Sequence, residues 1–248
     1  MAIVLGDVAG WWDCQEGSGG TTNDESAGAH DGALGATVAW TTGGPTNLPN
    51  GLLFPGALGT SNVLVSNDYD LVTGSLLVWL NVTSFATTVQ EIAGLGDSGE
   101  SAILVLNVGG AYTDSIVGRT DTSTGTMEVN DASQSTATNY CYVYTWINSG
   151  GSGNSCEMFL NGVSVGTGTV GGTIVDTGQN FRWGARTDGS GTLLYTGKIH
   201  QVVLLNRKVD STEAASLYNA GDGVTFSQFF GAPAEERVRN NLTLMGVS

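Results

Sequence analysis

Cys156-Glu-Met-Phe-Leu-Asn-Gly-Val-Ser-Val-Gly166 reads as two short strands folded back on each other at Asn161-Gly162. A two-residue hairpin turn of this kind needs positive φ at both central positions, and Asn followed by Gly accepts that at the lowest steric cost. Upstream, Asn139 to Ile147 is another strand, and the glycine-rich stretch around Gly151 turns it into the first arm of the hairpin. Counting outward from that turn sets Cys156 opposite Trp146 and not opposite Cys141. Further out, Leu76, Val78, Leu80 and Val82 share one face of a strand while Leu77 and Trp79 share the other. Ser101 to Val108 is apolar on both faces, as expected inside a sandwich, and Phe181 to Ala185 and Lys198 to Asn206 complete the late strands. Short period-two runs punctuated by Gly, Asn, Asp and Ser specify an all-β chain, an antiparallel two-sheet β-sandwich.

The convincing internal helix is short. Asp210 or Ser211 caps it, Glu213 meets its free N–H groups, Ala214, Leu217 and Tyr218 form its stripe, and Gly221 ends it. A helix this short must lean on the sandwich for stability. The expected division is a sandwich over residues 1–221 and a C-terminal extension over 222–248. In the extension Phe226, Phe229 and Phe230 cluster, and Pro233 precedes a short helical segment, Ala234 to Arg239. The extension is expected to dock on its own domain or on a neighbouring subunit, with Phe229, Phe230 and Val238 buried between chains in the second case.

The 248 residues suffice for one large all-β core. Thirty-eight glycines without a period of three exclude collagen and fit many tight turns. Eight Lys and Arg stand against 23 Asp and Glu, a net charge of −15, which argues against binding a phosphate backbone. No run of 18 apolar residues is present, so no membrane partner is expected. Cys14, Cys141 and Cys156 are too few for a disulfide framework and are expected as buried free thiols. The N-terminus shows neither a basic n-region nor a long apolar stretch, so the expectation is a product made in the cytoplasm, with an extracellular one as the alternative.

Two sequence motifs sit in the wrong structural context. Gly94-Leu-Gly96-Asp-Ser-Gly99 has the letters of a dinucleotide fingerprint, but a strand follows where a helix N-terminus is needed. Gly162-Val-Ser164-Val-Gly166 has the letters of a nucleophile elbow, but Ser164 lies in the second arm of a hairpin, and neither His30 nor His200 is placed by any pattern to serve it. The alternating carboxylates of a glycosidase strand are absent, with Glu91 isolated. Asp13, Asp24, Asp97, Asp121 and Asp188 are loop-placed acids. Asp24, Asp97 and Asp188 are the candidates for a structural calcium, against the alternative of solvated turn aspartates.

Tyr140-Cys-Tyr142-Val-Tyr144-Thr-Trp146 places four aromatics on one face of a strand. Two placements satisfy that pattern. The face either belongs to the core, where aromatics dominate burial, or forms a flat platform on which a sugar ring or a neighbouring subunit stacks.

An ordered series of motifs resembles a laminin-G-like domain of the concanavalin A-like lectin/glucanase jelly-roll family. Trp12-Asp-Cys-Gln-Glu-Gly-Ser-Gly-Gly20 and Asn23-Asp-Glu-Ser-Ala27 resemble its opening, and Gly51-Leu-Leu-Phe-Pro-Gly56 its next strand. Gly74 to Trp79 follows, then the specific Met158-Phe-Leu-Asn-Gly-Val163, then Phe181 to Gly184 and Tyr195 to Ile199. Asn206 to Tyr218 resembles the family's closing helix. The resemblance implies a jelly roll that commonly binds glycans or proteins. Where relatives often carry acids after the Gly-x-Ile segment, this chain has His200 and Gln201, which puts any calcium inherited with those acids in doubt.

The expected function is that of a non-catalytic virion surface protein, a capsid decoration or a tail or fibre component, partnered by other virion proteins or by copies of itself and adhering to host glycans. The alternatives are a secreted or cell-surface carbohydrate-binding module and a polysaccharide-active enzyme of the same fold.

Overall fold

The computed structural model describes residues 2–57, 60–84, 89–95, 102–107, 115–132, 134–149, 151–174, 178–186 and 193–231. In chain order the strands are β1 (Val8–Trp12), β2 (Thr21–Thr22), β3 (Gly32–Leu34), β4 (Ala39–Thr42), β5 (Asn50–Pro55), β6 (Val63–Val65), β7 (Gly74–Val82), β8 (Gln90–Gly94), β9 (Ala102–Asn107), β10 (Ser115–Thr122), β11 (Gly125–Asp131), β12 (Asn139–Ile147), β13 (Gly151–Leu160), β14 (Val163–Gly172), β15 (Arg182–Trp183) and β16 (Thr196–Leu205). The helices are α1 (Ser211–Tyr218) and α2 (Phe226–Phe230). One sheet runs β14-β13-β12-β7-β16-β5-β4, with β1 beside the C-terminal half of β16. The other runs β11-β10-β9-β8-β15-β6-β3-β2. We call them the back and front sheets. Every pairing between named strands is antiparallel, so the expected two-sheet sandwich is present.

The opening hairpin is built as its sequence dictates. Asn161 and Gly162 both have positive φ, +51° and +79°, and Cys156 pairs with Trp146. The three cysteines are free and buried.

The core between the sheets takes the even positions of the back-sheet strands: Leu76, Val78, Leu80 and Val82 of β7, Tyr142, Tyr144 and Trp146 of β12, and Val202 and Leu204 of β16. Many of the odd positions are apolar too. Leu77, Trp79, Cys141, Val143, Val203 and Leu205 form a second core on the outer side of the same sheet. A sheet with two oily faces must be covered twice, and the residues after β16 do this. Asp210 caps α1, accepting from the Glu213 amide at 2.9 Å while Glu213 reaches back to the Asp210 amide at 3.1 Å. Ala214 and Leu217 of α1 are buried against the sheet, and Tyr218 stacks on Trp79 at 5.7 Å.

The described part of the extension, residues 222–231, packs on the back sheet. Val224 and Phe226 are buried in the second core, and the Phe226 ring meets Trp11 edge-on at 5.6 Å. Asn47 donates from its backbone amide to the Asp222 carbonyl and from its side chain to the Gly223 carbonyl, at 2.9 and 3.0 Å. Residues 222–231 therefore complete the sandwich. Phe229 and Phe230 are half-buried against Trp11 of their own chain, each at 5.8 Å. Val238 lies outside the described residues. The second helix α2 was not read from the sequence. Its signal is Thr225-x-x-Gln228, which forms a reciprocal capping box.

Candidate functional site

The aromatic strand is not a contact surface. Tyr142, Tyr144 and Trp146 are fully buried and Tyr140 nearly so, all facing the inter-sheet core. The packing is possible because each polar tip finds a partner. Tyr144 and Thr120 share a hydroxyl hydrogen bond of 2.8 Å, Tyr142 donates to Asp131 at 2.7 Å, Trp146 donates to the Leu71 carbonyl at 2.9 Å, and Tyr140 accepts from the Ser135 amide at 2.8 Å. Burying a tyrosine without such a partner would strand a hydroxyl at a cost of about 1–3 kcal/mol. Burial pushes the Tyr144 hydroxyl far above its ordinary range, so it stays a neutral donor or acceptor. This corrects the platform reading: a sugar cannot reach rings that the front sheet covers.

Asp24 acts as a structural staple. Its Oδ1 accepts from the Trp11 and Ser26 amides at 3.0 and 2.9 Å, and its Oδ2 accepts from the His30 amide at 2.9 Å. Asp97 and Asp188 lie outside the described residues. Among the described residues no group of three or more His, Cys, Asp and Glu side chains could hold a metal ion. Asp13 is spent on the second core, accepting from the Trp11 indole, from Gln201 at 2.7 Å and from the Phe226 amide at 2.9 Å. Burial pushes its carboxyl above the usual range, against the pull of those hydrogen bonds from Gln201, Phe226 and Trp11. Ser164 is on β14 and donates to Glu157 at 2.8 Å, which removes the nucleophile reading. His200, fully buried, is held at Nδ1 by the Asn50 carbonyl at 2.8 Å, and burial lowers its pKa.

Among the described residues the helices lie over the back sheet and none lies over the outward side of the front sheet. Its register can be followed strand by strand. Gly118 faces Tyr144 and Thr120 bonds to it, so the even residues of β10 point inward and Val117, Arg119 and Asp121 point out. On β11, Met127 and Val129 are core residues, so Thr126, Glu128 and Asn130 point out. Direct opposition then aligns Glu128, Arg119, Ile103, Gly94, Arg182, Leu64, Ala33 and Thr21 in one row across the sheet. Glu91, Val117 and Asn130 lie in the next row. Arg119 and Arg182 stand three strand spacings apart, roughly 14 Å, with the bare Gly94 between them.

The charged groups of this face are organised. Arg119 donates from Nε and Nη2 to the two oxygens of Asp121, each at 3.2 Å, and lies 3.8 Å from Glu128. Asp121 also accepts from the Thr126 hydroxyl. Asp121, Val117 and Glu91 are only 4%, 4% and 2% exposed although they point away from the core. Guanidinium forks and carboxylates fixed in this way suit vicinal hydroxyls, which donate and accept at once. No exposed aromatic lies on this face among the described residues. A recess of about 260 Å³ opens between Ile3, Ser216 and Phe229, but its polar groups, Asp210 and Glu213, are committed to capping α1.

Residues 57–215 match the family model described as the concanavalin A-like lectin/glucanases superfamily, which is more than half of the chain. The chain belongs to this superfamily. The laminin-G-like resemblance of its motifs is thereby established, and the fold agrees with that of other concanavalin A-like jelly rolls. The botulinum neurotoxin type G receptor-binding domain superposes with a TM-score of 0.66 at 10% identity, covering 87% of this chain and 51% of that one. The chain thus spans about half the length of that toxin domain. Domain 4 of an extracellular arabinanase from Geobacillus stearothermophilus, solved with arabinotriose, gives 0.63 at 12% identity, with 85% and 97% covered. A Trypanosoma rangeli sialidase, solved with sialic acid, gives 0.60 at 16%, with 91% and 35% covered. No curated protein matches this concanavalin A-like chain by sequence.

Arg119 and Glu128 were missed in the sequence, and Asp121 was read only as a loop acid. The signal was available as alternation: Ile116, Gly118 and Thr120 against Val117, Arg119 and Asp121, then Met127 and Val129 around Glu128.

Proposed function

We propose that this chain is a non-catalytic glycan-binding module whose ligand lies across the outward face of the front sheet. The observation that carries the reading is the row of guanidinium and carboxylate groups from Arg182 past Gly94 to Arg119, Asp121 and Glu128, on the face that no helix covers among the described residues. The arabinanase domain solved with arabinotriose shares the fold over nearly its whole length, which is consistent with this use of the sandwich. Against catalysis, both Asp121 oxygens already accept hydrogen bonds from Arg119, and Glu128 shares the same guanidinium. A glycosidase needs one carboxyl left free to give up a proton.

A glycan array probed with the full chain tests this. We expect binding to a defined set of oligosaccharides, weakened about tenfold or more in Arg119→Ala, which corresponds to about 1.4 kcal/mol, with the variant's fold checked by circular dichroism. Release of reducing ends from any bound polysaccharide would overturn the non-catalytic reading, and an array without hits would overturn the glycan reading. The finer setting we propose is display on a virion, as a capsid decoration or tail or fibre component. The one-sided build, closed at the back and open at the front, suits a unit fixed to a surface by one face. Proteomics of purified particles checks it: fixed stoichiometry supports display, and absence favours a secreted or cell-surface module.

A further inference from the structure

Strand β16 bulges between Ile199 and Gln201, and His200 sits in that bulge, fully buried. Its ring is packed against two glycines: a Cβ on either Gly44 or Gly51 would run into Nδ1. The Asn50 carbonyl can only accept a hydrogen bond, so Nδ1 is the donor at 2.8 Å and Nε2 of the neutral ring carries no proton. Nε2 is buried and has no hydrogen-bond partner among the described residues. A neutral imidazole bears this at modest cost, but a charged one in the same place would be an unpaired buried ion.

Gly44 belongs to the strap of residues 43–48 that links β4 to β5. The strap reaches the closing segment at its other end. Asn47 bonds to the Asp222 and Gly223 carbonyls, and a Cβ on Gly223 would press into the Leu48 side chain. Leu48 and Phe226 are both buried in the second core. One short stretch of chain therefore touches a buried imidazole on one side and, on the other, the segment that closes the back sheet.

We propose that this strap is an acid-released latch: a proton on Nε2 of His200 frees residues 43–48, and with them residues 222–231, from the back sheet. Acid would then bare the second core around Trp11, Leu77 and Trp79 while the core between the sheets stays closed. The charged groups on the surrounding elements do not offer the proton a partner. Lys198, two residues back on β16, donates to the Thr42 carbonyl at 2.8 Å and adds a like charge. Asp13 is bonded to Gln201, Trp11 and Phe226, and Glu16 to Thr22 and Asn23. Asp222 lies on the closing segment itself, and the strap, β5, β7 and α2 carry no charge. Burial lowers the pKa of His200 from its ordinary 6.5, against the pull of the Asn50 bond. An opened form regains the ordinary value, so closure is fully favoured above pH 6.5 and weakens as the pH falls below it, by at most about tenfold per pH unit.

Hydrogen exchange of the full chain, corrected for the intrinsic rate at each pH, tests this. From about pH 7.5 to about pH 5.5 protection of residues 43–48 and 222–231 is expected to fall about tenfold, with β7 and β12 unchanged. His200→Gln, which keeps a donor for Asn50 but takes no proton, is expected to abolish the fall. Asp13→Asn, which removes a nearby carboxyl whose titration runs the opposite way, is expected to leave it in place. Titration of the His200 ring by NMR in the wild-type chain does not depend on a variant folding, and the ring is expected to take its proton below pH 6.5 as the strap opens. Protection that is constant or rises on acidification, an equal fall in His200→Gln, loss of the fall in Asp13→Asn, or a ring that protonates at or above pH 6.5 would each overturn the proposal.

Discussion

Replacing Phe226 by alanine removes the keystone of the second core. The ring is 5% exposed, meets Trp11 edge-on at 5.6 Å and lies 5.0 Å from the Phe230 ring. Truncating a buried phenylalanine costs about 3–5 kcal/mol in a rigid core, and the lost aromatic pairing is part of that figure, about 0.5–1.5 kcal/mol. Total stability of a domain is only about 5–15 kcal/mol, so the expected loss is a large fraction of it. In a protein of this size 1 kcal/mol shifts the melting temperature by about 2–4 °C, which predicts a fall of roughly 6–20 °C. The backbone amide of residue 226 still donates to Asp13 in the variant, so the effect isolates packing. Urea denaturation read by tryptophan fluorescence gives the free energy, and limited proteolysis shows whether cleavage appears after Asp222. If the midpoint and the cleavage pattern match wild type, the segment is not holding the back sheet closed, and the docking of residues 222–231 described above is wrong.

Gly118→Ala should destabilise by steric overlap, since its Cβ would sit 2.2 Å from the Tyr144 ring; overpacking of this kind costs about 1–3 kcal/mol, measurable in the same melts. Asp24→Ala strands three amides, those of Trp11, Ser26 and His30, and should cost about 1–3 kcal/mol or more; hydrogen exchange at those amides should quicken. Asp13 has a folded pKa raised above its ordinary 3.8, so its titration favours the folded state below pH 3.8, and that contribution is lost as the pH rises through the folded value. The stability of Asp13→Asn relative to wild type should therefore improve between pH 4 and pH 7, and an opposite slope in paired denaturation curves would refute the burial argument.

What the sequence disclosed depended on how local the cause was. Asn161-Gly162 forces its hairpin within a few residues, so the turn and the Cys156–Trp146 pairing were both legible. The alternation Leu76/Leu77/Val78/Trp79 even announced two oily faces, although what covers the second could not be read from β7 alone. The aromatic strand shows the limit. Period two places Tyr140, Tyr142, Tyr144 and Trp146 on one face, but which face is inward depends on a sheet supplied by β8 to β11. The site was hidden for a related reason. Strands β10 and β11 use Gly, Thr and Asp within the ladder, so their hydrophobic signal is thin. The three phenylalanines after Asp222 were noticed, but their partner Trp11 lies more than two hundred residues earlier.

The strict inward and outward division of β10 and β11 separates two jobs that most binding loops mix. Ile116, Gly118, Thr120, Met127 and Val129 point into the core, while Val117, Arg119, Asp121, Thr126, Glu128 and Asn130 point away from it. If the proposed recognition holds, the more exposed outward positions, Arg119, Thr126, Glu128 and Asn130, are where it can be rewritten with least disturbance to the frame.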